Sequence, residues 1–174
     1  MNNILTNEIT EDFNFRCLIN KKVVDVHNCL DLIIINFGTD DKVIEYSLHL
    51  TSFTRFIKNE KLLLTSTDVF FDELGNDIEN DDKTETLMKK HISEVNKALK
   101  GQTVKSVSKN KIGDLTVEFE NGIVMQTIID YIAKEQECYR FIEFVPGEEE
   151  RGILKSKRHL VFYATLDGIT NRVE

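Results

Sequence analysis

The side chains in this chain that could do chemistry are few and widely spaced. Four histidines stand at His27, His49, His91 and His159, none within metal-ligand spacing of another. A zinc site needs three or four converging ligands, usually begun by a Cys-x-x-Cys or His-x-x-x-His pair, and neither occurs. No metal and no cofactor are therefore expected. Cys17, Cys29 and Cys138 cannot all pair and read as free, buried thiols in a reducing cytoplasm. Cys138, in Glu137-Cys138-Tyr139-Arg140, has a nearby arginine that could lower its pKa, but no partner base is identifiable from sequence. The serines of Lys105-Ser106-Val107-Ser108 read as strand positions, and no Gly-x-Ser-x-Gly is present. Nothing here assembles an enzyme.

Carboxylates are the more telling group. Between Asp68 and Glu85 they face the lone basic Lys83, and Asp72, Glu73, Asp77, Glu79, Asp81 and Asp82 form the densest part. Asp77-Ile78-Glu79-Asn80-Asp81-Asp82 begins the alternation of an EF-hand loop but puts Asp82 where the sixth-position glycine belongs, so the calcium reading fails. The formal net charge of −8 repels phosphate backbones and steers basic proteins inward. The one compact basic run, Lys155-Ser156-Lys157-Arg158-His159, lacks interleaved aromatics and reads as a solvent-facing turn. Nucleic acid is thus not an expected partner, and those six carboxylates are the expected contact residues for a protein. No membrane partner is expected either: apolar runs such as Leu32 to Ile35 fall far short of a span, and the N-terminus lacks the pattern of a secretory signal. A cytoplasmic location follows as an expectation.

The elements that must position these residues show a pattern said nearly twice. Leu18-Ile19-Asn20-Lys21-Lys22-Val23-Val24-Asp25-Val26 is echoed by Leu99-Lys100-Gly101-Gln102-Thr103-Val104-Lys105-Ser106-Val107. Each copy runs through a polar gap into an apolar strand and then a further strand. A repeat of this kind implies one supersecondary unit used twice, each copy too small to bury its own face. Partial period-two alternation predicts strands near 22–27, 31–37, 42–49, 53–57 and 61–65, then near 103–109, 114–120, 123–132, 138–144, 151–155 and 159–165. Short loops favour antiparallel pairing. Glu120-Asn121-Gly122-Ile123 predicts a type I′ hairpin. Met88, Ile92, Val95 and Leu99 share one helical face, widened by Leu87, His91 and Ala98. That predicts a helix over 83–100, capped by Asp82 with Glu85 and stopped at Gly101. The expected fold is α+β: one domain over 1–174, with related antiparallel β units at 13–71 and 101–166 joined by the amphipathic helix. Separate sheets, a sandwich and a partial barrel all remain open at this stage.

The run Gly113-Asp114-Leu115-Thr116-Val117-Glu118-Phe119-Glu120-Asn121-Gly122, with Leu99, Gly101, Val104 and Val107 before it, resembles a bacterial family of small two-repeat β-rich proteins, some of them candidate toxin-immunity proteins. Glu137-Cys138-Tyr139 resembles a later family element, with Tyr where the family has Trp, and Asn20 replaces the glycine in the first copy. The resemblance covers about 18–165 and implies a non-enzymatic immunity protein that occludes a basic toxin. It supplies no catalytic residues. The alternative is a small-ligand-binding or enzymatic β-rich domain whose pocket lies between the two halves, for example His27 or His159 with Arg140.

Overall fold

The computed structural model describes residues 14–78, 86–129, 137–145, 149–150, 153–154, 158–165 and 168–173. A 3-10 turn at Phe15–Leu18 leads into β1 (Lys22–Cys29), β2 (Leu32–Gly38), β3 (Tyr46–Leu50), β4 (Phe53–Lys58) and β5 (Lys61–Thr65). A second 3-10 turn, Ser66–Phe70, precedes α1 (Leu87–Leu99). Then come β6 (Val104–Lys109), β7 (Leu115–Phe119), β8 (Val124–Ile128), β9 (Tyr139–Val145), β10 (Glu149–Glu150), β11 (Ile153–Leu154), β12 (Arg158–Thr165) and β13 (Gly168–Val173). The fold is α+β, with two large antiparallel sheets. One runs β1-β2-β3-β9-β12-β13, the other β5-β4-β8-β7-β6, and β10 and β11 form a separate two-stranded pair.

Each sheet draws on both halves of the chain. The meander β1-β2-β3 is continued by β9 and β12, and the meander β6-β7-β8 is continued by β4 and β5. Thr54 and Thr127 mark the second junction: their hydroxyls meet at 2.6 Å, fully buried between β4 and β8. The two meanders also meet where they begin. Asn20 N–H donates to the Val104 carbonyl and Gly101 N–H to that of Val23; Val104 N–H donates to Lys21 and Val23 N–H to Gln102. Asn20 and Gly101, Lys21 and Gln102, Val23 and Val104 each stand 81 positions apart. Lys22 and Thr103, with the same offset, form the antiparallel bridge at the centre. Asn20 (φ 69°) and Gly101 (φ 76°) share the left-handed conformation, which asparagine tolerates best after glycine. Both first strands bulge at the next step, between Val23 and Asp25 and between Val104 and Ser106.

The inner faces of both sheets and one face of α1 share a single apolar cluster, including Leu18, Ile35, Leu48, Phe56, Val117, Met125 and Phe141. Met88, Ile92, Val95 and Leu99 are buried in it, as their spacing predicts. Ala98 is exposed instead, and the Asn121 side chain bonds its carbonyl. The helix starts later than 83: Thr86 is its N-cap residue with extended backbone (φ −83°, ψ 156°). Asp82 and Glu85 lie outside the described residues. The third strand begins at Tyr46 rather than 42, because the Asp40 carboxylate accepts the Lys42 and Val43 N–H groups and folds that segment into a turn. The predicted type I′ turn at Asn121 is also corrected. Only Gly122 has positive φ there, and the Phe119 N–H to Ile123 carbonyl bond closes a longer loop. Positive φ at both central residues occurs at Asn59-Glu60, between paired Lys58 and Lys61.

Gly38 ends β2 where the 39–45 segment folds back. A Cβ there would lie 1.9 Å from the Val43 carbonyl oxygen and 2.9 Å from that of Asp40. Backbone, not a flexible side-chain tip, is in the way. Gly38→Ala is therefore expected to destabilise the protein by about 1–3 kcal/mol, read as a lower urea midpoint with unchanged slope.

Candidate functional site

Three places bring polar or reactive groups together. The first is the loop between the second 3-10 turn and α1. Asp68 anchors its start, accepting from Thr65 N–H at 3.1 Å, the Thr65 hydroxyl at 2.8 Å and pairing with His91 Nδ1 at 2.7 Å on α1. Bridges Phe71–Asp77 and Asp72–Thr86 close the loop and tie it to the helix start. Inside it the Asp72 carboxylate accepts Leu74 N–H and Asn76 N–H, each at 2.8 Å, and Asn76 Nδ2 at 3.0 Å. The Asn76 side chain and N–H, with the other loop N–H groups, hold the Asp72 carboxyl below its usual range. Asp72 thus shapes the loop, while Glu73 and Asp77 face solvent. Glu79, Asp81 and Asp82 lie outside the described residues. Phe70 is 61% exposed and Leu74 87%, so the loop presents apolar as well as acidic groups.

The second place is the outer face of the six-stranded sheet. Register places His27, Ile34, His49, Arg140 and Tyr163 in one row across β1, β2, β3, β9 and β12. His27 Nδ1 meets Asp25 Oδ2 at 2.9 Å, and Asn36 Nδ2 donates to the other Asp25 oxygen at 2.7 Å. Arg140 grips Glu137 through Nε (2.7 Å) and Nη2 (2.9 Å), and its guanidinium lies 5.3 Å from the Tyr163 ring centroid. So His27 and Arg140, expected together in a pocket, share a face with two strands between them; the His159 side chain is outside the described features. Cys29 follows His27 on the same face of β1 and is exposed, contrary to the buried thiol expected, but no hydrogen bond joins the two. Cys138 is fully buried, and burial with the nearby Glu143 pushes the Cys17 thiol up to about 11. A thiol held that high is a poor nucleophile at neutral pH. Among the described residues, no three or more His, Cys, Asp or Glu converge as a metal site would require.

Burial, reinforced by the Arg140 charge, lowers the His49 pKa. Glu137 acts in the opposite sense and His27 in the same sense. The unfolded histidine titrates near 6.5, so below about that pH the unfolded chain binds a proton that the folded chain refuses. Stability from this group is complete above pH 6.5 and falls as pH drops. His49→Gln should flatten unfolding free energy measured between about pH 5 and 6.5.

The third place is a groove of about 230 Å³ on the outer face of the five-stranded sheet, lined by Arg55, Ser108, Asn110, Asp114, Thr116, Gln126, Thr127 and Ile128. Its wall is a rigid turn: the Asn110 side-chain oxygen accepts the N–H groups of Ile112, Gly113 and Asp114. Sequence reasoning missed Arg55, Phe70 and Leu74. Two large apolar residues within an acidic run flanked by Gly75-Asn76 were a legible signal; Arg55 acquires its neighbours only through strand pairing between chain halves.

No helix among the described residues is long and apolar enough to cross a membrane. Comparison with known proteins yields no matching family model, no matching curated protein and no matching solved structure.

Proposed function

We propose that this chain is a non-enzymatic protein-binding module that docks through the loop at 68–78. The observation carrying this reading is Phe70 and Leu74, held in water on a hydrogen-bonded loop beside Glu73 and Asp77. Covering such a side chain returns roughly 1.5–3 kcal/mol each, and a preformed loop loses little entropy on docking. An apolar centre with a charged rim is the anatomy of a protein interface. The carboxylates select a basic partner, which the net charge of −8 steers inward. Glu79, Asp81 and Asp82 extend the same charge along the sequence. In its concrete form the partner is a toxin whose substrate the bound protein excludes; the family resemblance supports this form.

The scaffold reads as an internal duplication with α1 as the connecting segment. The 81-residue offset shared by the seam hydrogen bonds, the left-handed residues and the two bulges supports that reading. The test of function is capture of the adjacent gene's product at low and high salt, by the native chain and by Glu73→Lys with Asp77→Lys. Capture is expected to weaken with salt and with charge reversal. Capture indifferent to both would discard the acidic-surface reading.

A further inference from the structure

Arg55 occupies the middle of the outer face of the five-stranded sheet, and among the described residues no carboxylate pairs with it. Its Nε donates to Gln126 Oε1 at 2.9 Å. That bond fixes the guanidinium plane and leaves the two Nη groups as a fork suited to a carboxylate. The fork belongs to the groove lined by Ser108, Asn110, Asp114 and Thr116.

The six-stranded sheet holds the same residue in the same register. Arg55 faces Gln126 and Phe56 faces Met125; Arg140 faces His49 and Phe141 faces Leu48. The row Ser108–Thr116–Gln126–Arg55–Thr65 therefore corresponds to His27–Ile34–His49–Arg140–Tyr163. At Arg140 the chain supplies its own carboxylate, Glu137, three residues earlier. Three residues before Arg55 stands Ser52, buried and too short to reach out as Glu137 does. One arginine is satisfied from within, and beside the other a groove opens.

We propose that this groove binds a small carboxylate bearing a hydroxyl or amino group. Its carboxylate meets the two Nη groups of Arg55 and supplies the negative charge that Glu137 supplies to Nε and Nη2 of Arg140. Its hydroxyl or amino group donates to Asp114, whose Oδ1 already accepts Ile129 N–H at 2.8 Å and whose Oδ2 accepts Asn110 Nδ2 at 2.8 Å, each oxygen keeping one lone pair. The Ser108 and Thr116 hydroxyls flank the ligand. The Asp114 charge disfavours a doubly charged phosphate more than a monocarboxylate. The proposal does not rest on the docking loop.

The test is an NMR titration of the full chain with sodium glycolate, and separately with inorganic phosphate, at constant ionic strength, following arginine Nε–Hε and backbone amide signals. Glycolate is expected to shift Arg55 Nε–Hε and the amides of Ser108, Asn110 and Thr116 saturably, leaving Arg140 still. Arg55→Gln should abolish these amide shifts, and Arg55→Lys should weaken binding by about tenfold through loss of the fork. If Arg55→Gln does not fold, the native and Arg55→Lys titrations decide. No saturable shift at Arg55, undiminished amide shifts in the variants, or saturation by phosphate at lower concentration than glycolate would overturn the proposal.

Discussion

Phe141→Ala is expected to lower the free energy of unfolding by about 3–5 kcal/mol, a large share of the roughly 5–15 kcal/mol that keeps a domain folded. Phe141 is fully buried, stacked on Tyr46 at 5.4 Å between centroids and met edge-on by Phe15 at 5.7 Å. It pairs in register with Leu48 of β3, so removing its ring opens a cavity where the second half of the chain joins the first meander. Phe56→Ala should have a similar effect, since Phe56 meets Met125 in the corresponding place of the other sheet. Because both sheets line one apolar cluster, each variant should still unfold in one cooperative transition with a lowered midpoint. Circular dichroism and intrinsic tyrosine fluorescence in urea would check this. Two separate transitions would show that the sheets do not share a core.

Phe70→Ala combined with Leu74→Ala is expected to weaken binding to the adjacent gene's product by about a hundredfold or more, at roughly 1–2 kcal/mol or above per central apolar contact. The same double substitution should change stability by less than about 0.5 kcal/mol, because both side chains already face water. That contrast separates docking from folding. Glu73→Lys should act differently, lowering the association rate and its dependence on salt more than it raises dissociation. Calorimetry and stopped-flow association on the purified pair would read both. Equal affinity in the native and doubly substituted chains would remove Phe70 and Leu74 from the interface.

The strands were legible because β-branched residues alternate within short, turn-bounded segments, and α1 because Met88, Ile92, Val95 and Leu99 recur on one face. Strand partnership was not. Nothing local in Leu48 or Phe56 says that they pair with Phe141 and Met125, since those contacts close long loops between chain halves. Local chemistry also misled at two turns. Asn121-Gly122 permits two positive φ values, but a buried Ile123 and its bond from Phe119 draw the loop longer. Asn59-Glu60 adopts them instead, because its flanking lysines pair directly and leave only two residues to turn the chain. The last strand, β13, was missed: Asp167-Gly168 offered a turn signal, but the polar Asn171 interrupts any alternation between Ile169 and Val173. The proposed docking loop was legible as charge and not as shape. The carboxylates stood out in sequence, whereas the exposure of Phe70 and Leu74 depends on how Asp68 and Asp72 fold the loop.

Amide hydrogen exchange on the chain with and without the adjacent gene's product tests the proposed docking loop most directly. New protection on partner binding should fall on residues 68–78 and the first turn of α1, leaving the outer faces of both sheets unchanged. Protection confined to either sheet face, with 68–78 exchanging as in the isolated chain, would contradict the account.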